Sequence, residues 1–356
     1  MRKLSIFCSA FILTSLFITS CSSDDDGSPG EEQQGDFENG FFVLNEGNTS
    51  PSTASISFIS QNGEVTQDIY TLVNPGAEVT GSYLQSMFFD DTRVFIISGQ
   101  ANKITVVDRY TFEYITTIST DFASPRYGTV VNGKAFVTNY NDFATGDDDF
   151  LTVIDLADYS TTQVPLGNWS ERITSENGKV YIANGYYGDG NSITVFNPAN
   201  NSIETVIDLD AGNSPNSIEE QDGMLYVLTS NYGVPGKIFR INLSDNQING
   251  ELDIAENIPD PKQLQVEDGQ LYFTSGTSVY KMALNSSTVP STPFLTYESE
   301  SEWGAMYGFN VEDGSIFISD AGDFTSNSKV YQYSTNGNLT GTLTVGIGPN
   351  GVYGNN

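Results

Sequence analysis

The chain has no histidine, and its only two cysteines, Cys8 and Cys21, fall within its first 21 residues. Without imidazole, Ser-His-Asp and Cys-His catalysis, the common zinc sites and axial ligation by His are out of reach. Without further thiols, the body of the chain forms no disulfide. Basic residues are scarce as well: 14 Lys and Arg stand against 45 Asp and Glu, a net charge of −31. Such an acid excess argues against nucleic-acid binding and against adsorption to anionic lipid. Long apolar runs are also missing, since the one candidate, residues 4–17, is too short to span a bilayer. Carboxylates are plentiful, yet no short stretch pairs two of them in a recognisable acid and base motif. The cluster in NDFATGDDDF (Asp142, Asp147, Asp148, Asp149) lacks the alternating spacing of a calcium loop and reads as a solvated loop. YYGDGNS at 186–192 has neither the lysine nor the helix of a phosphate loop and reads as a turn. Nothing here asks for a cofactor or a metal, and no enzyme class is indicated.

What the chain does contain is a repeat. An aromatic residue opens a short apolar run at Phe42 (FVLN), Phe95 (FIIS), Phe136 (FVTN), Tyr181 (YIAN), Tyr226 (YVLT), Tyr272 (YFTS) and Phe317 (FISD). Just before most of these anchors stands a tight-turn pair: Asn132-Gly133, Asn177-Gly178, Asp222-Gly223, Asp268-Gly269 or Asp313-Gly314. Such pairs favour the positive φ angles of a two-residue hairpin. After each anchor come a polar stretch, a second β-branched or aromatic run such as ITVVD or LTVID, a turn and a fourth run. Four strands in ~45 residues, repeated seven times, predict an all-β, seven-bladed β-propeller of four-stranded blades. Runs that are apolar at most positions suit sheets packed on both faces. The first copy lacks an upstream hairpin partner, while GIGPNGVYGNN at 346–356 is a first strand with nothing after it. The C-terminal strand is therefore expected to pair with the N-terminal blade and close the ring.

The start of the chain is not part of this fold. A charged Met1-Arg2-Lys3, the apolar stretch and ITSC at 18–21 resemble a bacterial lipoprotein signal, which implies a signal peptide at 1–20 and lipidation of Cys21. Residues 22–36 (SSDDDGSPGEEQQGD) are acidic and contain no aromatic, so 21–36 is expected to be a disordered tether and 37–356 the propeller.

Function in a propeller sits at one mouth of the central channel, and the register identifies candidates for it. Ten positions before the anchors stand Gln85, Arg126, Glu171, Asn216, Lys262 and Tyr307, with Asn350 matching from the C-terminal strand. All are polar or amphipathic. Nine positions before stand Ser86, Tyr127, Arg172, Ser217, Gln263, Gly308 and Gly351. Eight before, Met87, Gly128, Ile173, Ile218, Leu264, Phe309 and Val352 are mostly apolar, as expected where the strand leaves a water-filled funnel. Arg126, Arg172 and Lys262 either neutralise nearby acids or form a cationic spot suited to an anionic group on a ligand. The connections after the anchors add Tyr140, Phe143, Tyr186, Tyr187, Tyr232 and Phe324, with Trp169 and Trp303 leading into blades. Some of these pack between blades; beside Asn and Gly, others suit a flat, polar ligand.

The strings FFVLNEGN, LQSMFFDDTRVFII, NKITVVDRYTFEYITTI, PRYGTVVNGKAFVTNY and SPNSIEEQDGMLYVL resemble the YncE-like, YVTN-repeat propeller lipoproteins of Bacteroidota, the DUF5074 group, over residues 41–356. The similar BtuG-type members capture cobalamin at the cell surface above a TonB-dependent vitamin B12 transporter. The resemblance therefore implies binding of a corrinoid or similar nutrient at the propeller mouth and delivery to such a transporter. SDDDG after Cys21 also resembles the acidic signal that sends lipoproteins to the outer face of the outer membrane. A protein- or glycan-binding scaffold using the same face is the alternative reading, and a propeller hydrolase or lactonase a third.

Overall fold

Asn132 and Gly133 have φ of 53° and 74°, and the same pair of positive values recurs at Asn177-Gly178, Asp222-Gly223, Asp268-Gly269 and Asp313-Gly314. These are the I′-type turns that the dipeptides favour, because their twist matches that of the flanking strands. The computed structural model describes residues 35–49, 52–78, 80–186, 188–210, 212–231 and 234–355. The signal segment, Cys21 and nearly all of the expected tether lie outside the described residues. Gly35 lies against the Tyr110 carbonyl, where a side chain would not fit, and Phe37 is buried.

The strands form seven four-stranded antiparallel sheets, each in simple up-and-down order. Blade 1 takes its first strand from the C-terminus, where Pro349–Asn355 pairs antiparallel with Gly40–Asn45. Blades 2 to 7 begin with Leu84–Phe89, Pro125–Val131, Ser170–Glu176, Pro215–Gln221, Lys262–Glu267 and Gly308–Glu312. Each of these seven first strands touches the first strand of the next blade, around to Pro349–Asn355, so they surround a central channel. The wider spacing after the first anchor has a local cause. Blade 1 reduces its outer strand to Val65–Thr66 and inserts a short helix, Ile69–Val73, which buries Ile69 and Tyr70.

Second and third strands are buried along most of their length, as at Phe42 to Leu44 and Ile104 to Val107, whereas outer strands such as Ser202–Asp208 are largely exposed. This explains the difference between continuous apolar runs and Thr- and Glu-rich ones. Among the described residues the buried side chains fall into seven clusters, each spanning two neighbouring blades. The fold is thus held by repeated face-to-face burial, worth about 1.5–3 kcal/mol for each large apolar side chain. The polar residue that ends each anchor run is buried too. Asn139 Nδ2 donates to the Val137 carbonyl and Thr152 Oγ1, both at 2.9 Å, and Asn184 Nδ2 to Ser192 Oγ at 2.9 Å and Thr194 Oγ1 at 2.8 Å. These bonds give the interior acceptors and donors their partners at the strand ends.

Candidate functional site

In six blades the first strand begins with an irregular register. The ladder jumps from Leu84 to Ser86, Pro125 to Gly128, Ser170 to Ile173, Pro215 to Ser217, Lys262 to Gln265 and Pro349 to Gly351. A bulge leaves residues unpaired and re-aims their side chains, which is why bulges gather beside functional sites. The skipped residues are Gln85, Arg126 with Tyr127, Glu171 with Arg172, Asn216, Gln263 with Leu264, and Asn350. Most of the positions picked out by the sequence register are therefore bulge residues at one end of the channel.

Their side chains stitch neighbouring blades together. Asn350 Nδ2 donates to the Leu84 carbonyl at 2.8 Å, and Asn216 Nδ2 to that of Pro261 at 2.8 Å. Gln85 Nε2 donates to the Tyr127 hydroxyl at 3.1 Å, and Gln263 Nε2 to the Tyr307 carbonyl at 3.2 Å. Arg126 makes the strongest set: Nε and Nη2 donate to the two carboxylate oxygens of Glu171 at 2.9 and 2.8 Å, and Nη1 to Gln85 Oε1 at 2.7 Å. Burial alone would push the Glu171 carboxyl up. The Arg126 charge and hydrogen bonds, with help from Tyr140, reverse that and hold it below the usual carboxylate range. Arg126 is therefore neutralised by an acid of the next blade and is not a free cation: of the two roles open to it, it takes that of neutralising a nearby acid. Lys262, 3.9 Å from Asp260 and 43 % exposed, and Arg172 remain available. The Arg172 guanidinium lies over the Tyr127 ring, 4.0 Å from its centroid.

The aromatic residues divide. Tyr140 is buried, with the Arg126 guanidinium 5.1 Å from its ring centroid, so it supports the ring of polar residues and offers no face to a ligand. Tyr307 is half-buried, donates its hydroxyl to Glu46 and meets Phe324 edge-on at 4.9 Å. Phe143 is exposed and touches Tyr140, while Trp169 is half-buried against Gly146. Trp303 is open, at 79 %. Tyr186 closes the strand Lys179–Tyr186, pairing with Asp189, and Tyr187 and Tyr232 lie outside the described residues. The acid loop uses its carboxylates internally. Asp142 Oδ1 accepts from Ala144 N at 2.9 Å, Asp148 Oδ2 from Asn141 Nδ2 at 2.9 Å, and the buried Asp149 from Ser170 N at 2.7 Å. No group of three or more metal-ligating side chains occurs among the described residues.

Below the mouth the pleat alternates. Met87, Ile173, Ile218, Leu264, Phe309 and Val352 turn into the clusters between blades. The next position in the strand supplies Glu219, Gln265, Asn310 and Tyr353 to a channel cavity of about 520 Å³, which Arg172 and Glu312 also line. The apolar row thus marks packing between blades, and the channel stays polar beneath the mouth. Glu219 accepts a hydrogen bond from Gln265 Nε2 at 3.0 Å. Burial raises its carboxyl, the Arg172 charge opposes this and Glu312 adds to it, with a net result of about 8.

A carboxyl raised from 4.5 to about 8 stabilises the fold fully below the lower value. That contribution is lost as pH rises through the higher one. Glu219→Gln, which is neutral at every pH, should match the wild-type Tm near pH 4 and exceed it at pH 9. Thermal melts across that range test this, and a gap that does not widen with pH would contradict the burial of an acid at this position.

Glu46, Glu219, Gln265 and the exposed Tyr83 belong to the mouth or channel and do not stand at the register positions read as the mouth. Glu219 and Gln265 had a visible signal, because the register seven before each anchor is polar in most blades. Glu46 follows an anchor run in a connection of no fixed length and carried none.

Solved structures share the fold at low identity. A quinonprotein alcohol dehydrogenase-like protein from Bacteroides thetaiotaomicron is similar with a TM-score of 0.66, at 18% identity over 90% of this chain and 79% of its own. Streptogramin B lyase is similar at 0.56, with 16% identity over 74% and 84%. BamB from Moraxella catarrhalis is similar at 0.53, with 12% identity over 90% and 93%. These names span different activities, so the likeness shows the fold alone. No curated protein matches the chain. Residues 39–345 match the family described as Domain of unknown function (DUF5074), and the chain belongs to that family.

Proposed function

We propose that the protein is a lipid-anchored surface protein that binds a corrinoid or similar nutrient at the propeller mouth and delivers it to a TonB-dependent outer-membrane transporter. The observation that carries this reading is the ring of bulge-aimed polar side chains around an open channel, with Tyr83, Tyr127, Tyr307 and Phe324 beside it. A corrinoid is a broad disc rimmed with amides and bearing one phosphate. It needs a wide polar mouth with aromatic faces and, while cobalt keeps its own lower ligand, no histidine. Cys21 would carry the lipid, and the acids after it would direct the protein to the cell exterior.

Calorimetric titration with cyanocobalamin tests the ligand. Saturable binding of one ligand per chain is expected. No heat with cyanocobalamin, together with binding to oligosaccharides in the same cell, would replace this reading with that of a glycan-binding scaffold.

A further inference from the structure

Five arginines lie among the described residues, and four of them donate to protein acceptors. Arg93 bonds Asp90 and the Leu156 carbonyl, Arg109 bonds Asn355, Arg126 bonds Glu171 and Gln85, and Arg240 bonds the Ser286 carbonyl. Arg172 differs. Its guanidinium rests on the Tyr127 ring, and no acceptor or carboxylate among the described residues stands at hydrogen-bond or ion-pair distance from it. A stacked guanidinium presents one face to the ring and keeps its N–H donors in the plane, free for a second partner. Arg172 holds that arrangement inside the channel cavity of about 520 Å³, a size typical of small-molecule sites.

We propose that Arg172, oriented by Tyr127, is an oxyanion subsite within the channel that takes the phosphate or carboxylate head of an otherwise neutral ligand whose body rests on the mouth. This deepens the reading of the mouth as a nutrient site, and it places the anion below the polar ring instead of at Arg126. The groups whose charge acts with or on Arg172 are Glu171, already held by Arg126, Glu219 on the next blade and Tyr353, and Glu312 on the cavity wall acts in turn on Glu219. Glu219 retains its proton at neutral pH, so it does not compete for the guanidinium and presents a neutral wall to an anion. When Glu219 ionises, it becomes a rival counter-ion.

Calorimetry with phenyl phosphate and with benzoate tests the subsite and separates the two head groups. Binding of at least one probe by the wild type is expected, with affinity at least tenfold lower in Arg172→Gln, partly kept in Arg172→Lys and unchanged in Lys134→Gln. Lys134 sits at the far hairpin, bonded to Asn201. Affinity should also fall as pH rises through about 8 in the wild type but not in Glu219→Gln. Because Arg172 has no protein acceptor to lose, Arg172→Gln should still fold and melt cooperatively, and that melt confirms the folded state in which binding is measured. Failure of both probes to bind, or equal losses in Arg172→Gln and Lys134→Gln, would overturn the subsite. Cyanocobalamin in the same variants separates the two proposals. Binding that is indifferent to Arg172→Gln removes the subsite and leaves the corrinoid reading, whereas phenyl phosphate binding without cyanocobalamin binding does the reverse.

Discussion

Deletion of residues 346–356 should abolish the cooperative thermal transition of the protein. The lost segment contains the innermost strand of blade 1, Pro349–Asn355, whose whole ladder to Gly40–Asn45 would go with it. Val352 leaves the cluster between blades 7 and 1, and the Tyr353 hydroxyl no longer accepts from Met87 N. Asn355 ties three segments at once. Its Nδ2 donates to the Phe37 carbonyl at 2.7 Å and to that of Arg109 at 3.1 Å, while its Oδ1 accepts from Arg109 Nε at 2.6 Å. Each buried partner left unmatched costs about 1–3 kcal/mol. A handful of them equals the roughly 5–15 kcal/mol that keeps a domain folded. Circular dichroism melts of the truncated and intact chains decide the matter, and a transition of unchanged sharpness and midpoint would show that closure contributes little.

Arg126→Ala should cost about 3–5 kcal/mol, the usual scale for breaking one side of a sequestered ion pair. The two side chains are only 19 % and 13 % exposed, so Glu171 would be left as a charge with little access to water. It should respond by taking up a proton. In the wild type, Glu171 is held below its ordinary range, so its contribution is present above that range and lost as pH falls through the depressed value. The variant lacks this contribution, and its deficit should therefore shrink at acid pH. Urea titrations at pH 4 and pH 8 measure both effects. Arg126→Ala/Glu171→Ala should recover part of the loss, since neither charge is then stranded. A single variant as stable as wild type would mean that the pair is solvated and does not hold its two blades together.

The blade repeat was legible because each blade must solve the same problem. Two turn residues with positive φ stand before five of the anchors, and each anchor strand must be apolar on both faces, so Asn132-Gly133 recurs in kind in those five blades and Phe136 in all seven. The mouth positions were legible for a related reason: the bulges recur at one register, and counting back from the anchors finds them. The pairing of Arg126 with Glu171 was also readable in principle, since equivalent positions of consecutive blades are neighbours in the ring. The register seven before the anchors held Glu219, but only the tertiary structure shows that this position shares a channel cavity with Arg172.

The sequence by itself determined the number of blades, the hairpin turns and the closing of the ring, because these depend on local backbone preference and on a pattern repeated along the chain. It also determined that histidine and thiol chemistry are absent from the propeller. Only the tertiary structure decided which charges remain available. Arg126 and Arg172 are one bulge position apart in register, yet the first is locked into Glu171 and Gln85 while the second stacks on Tyr127 without an acceptor. That difference arises from side chains of other blades converging on the channel, about 45 residues away in sequence, and a charge's partner in space is not fixed by its neighbours along the chain.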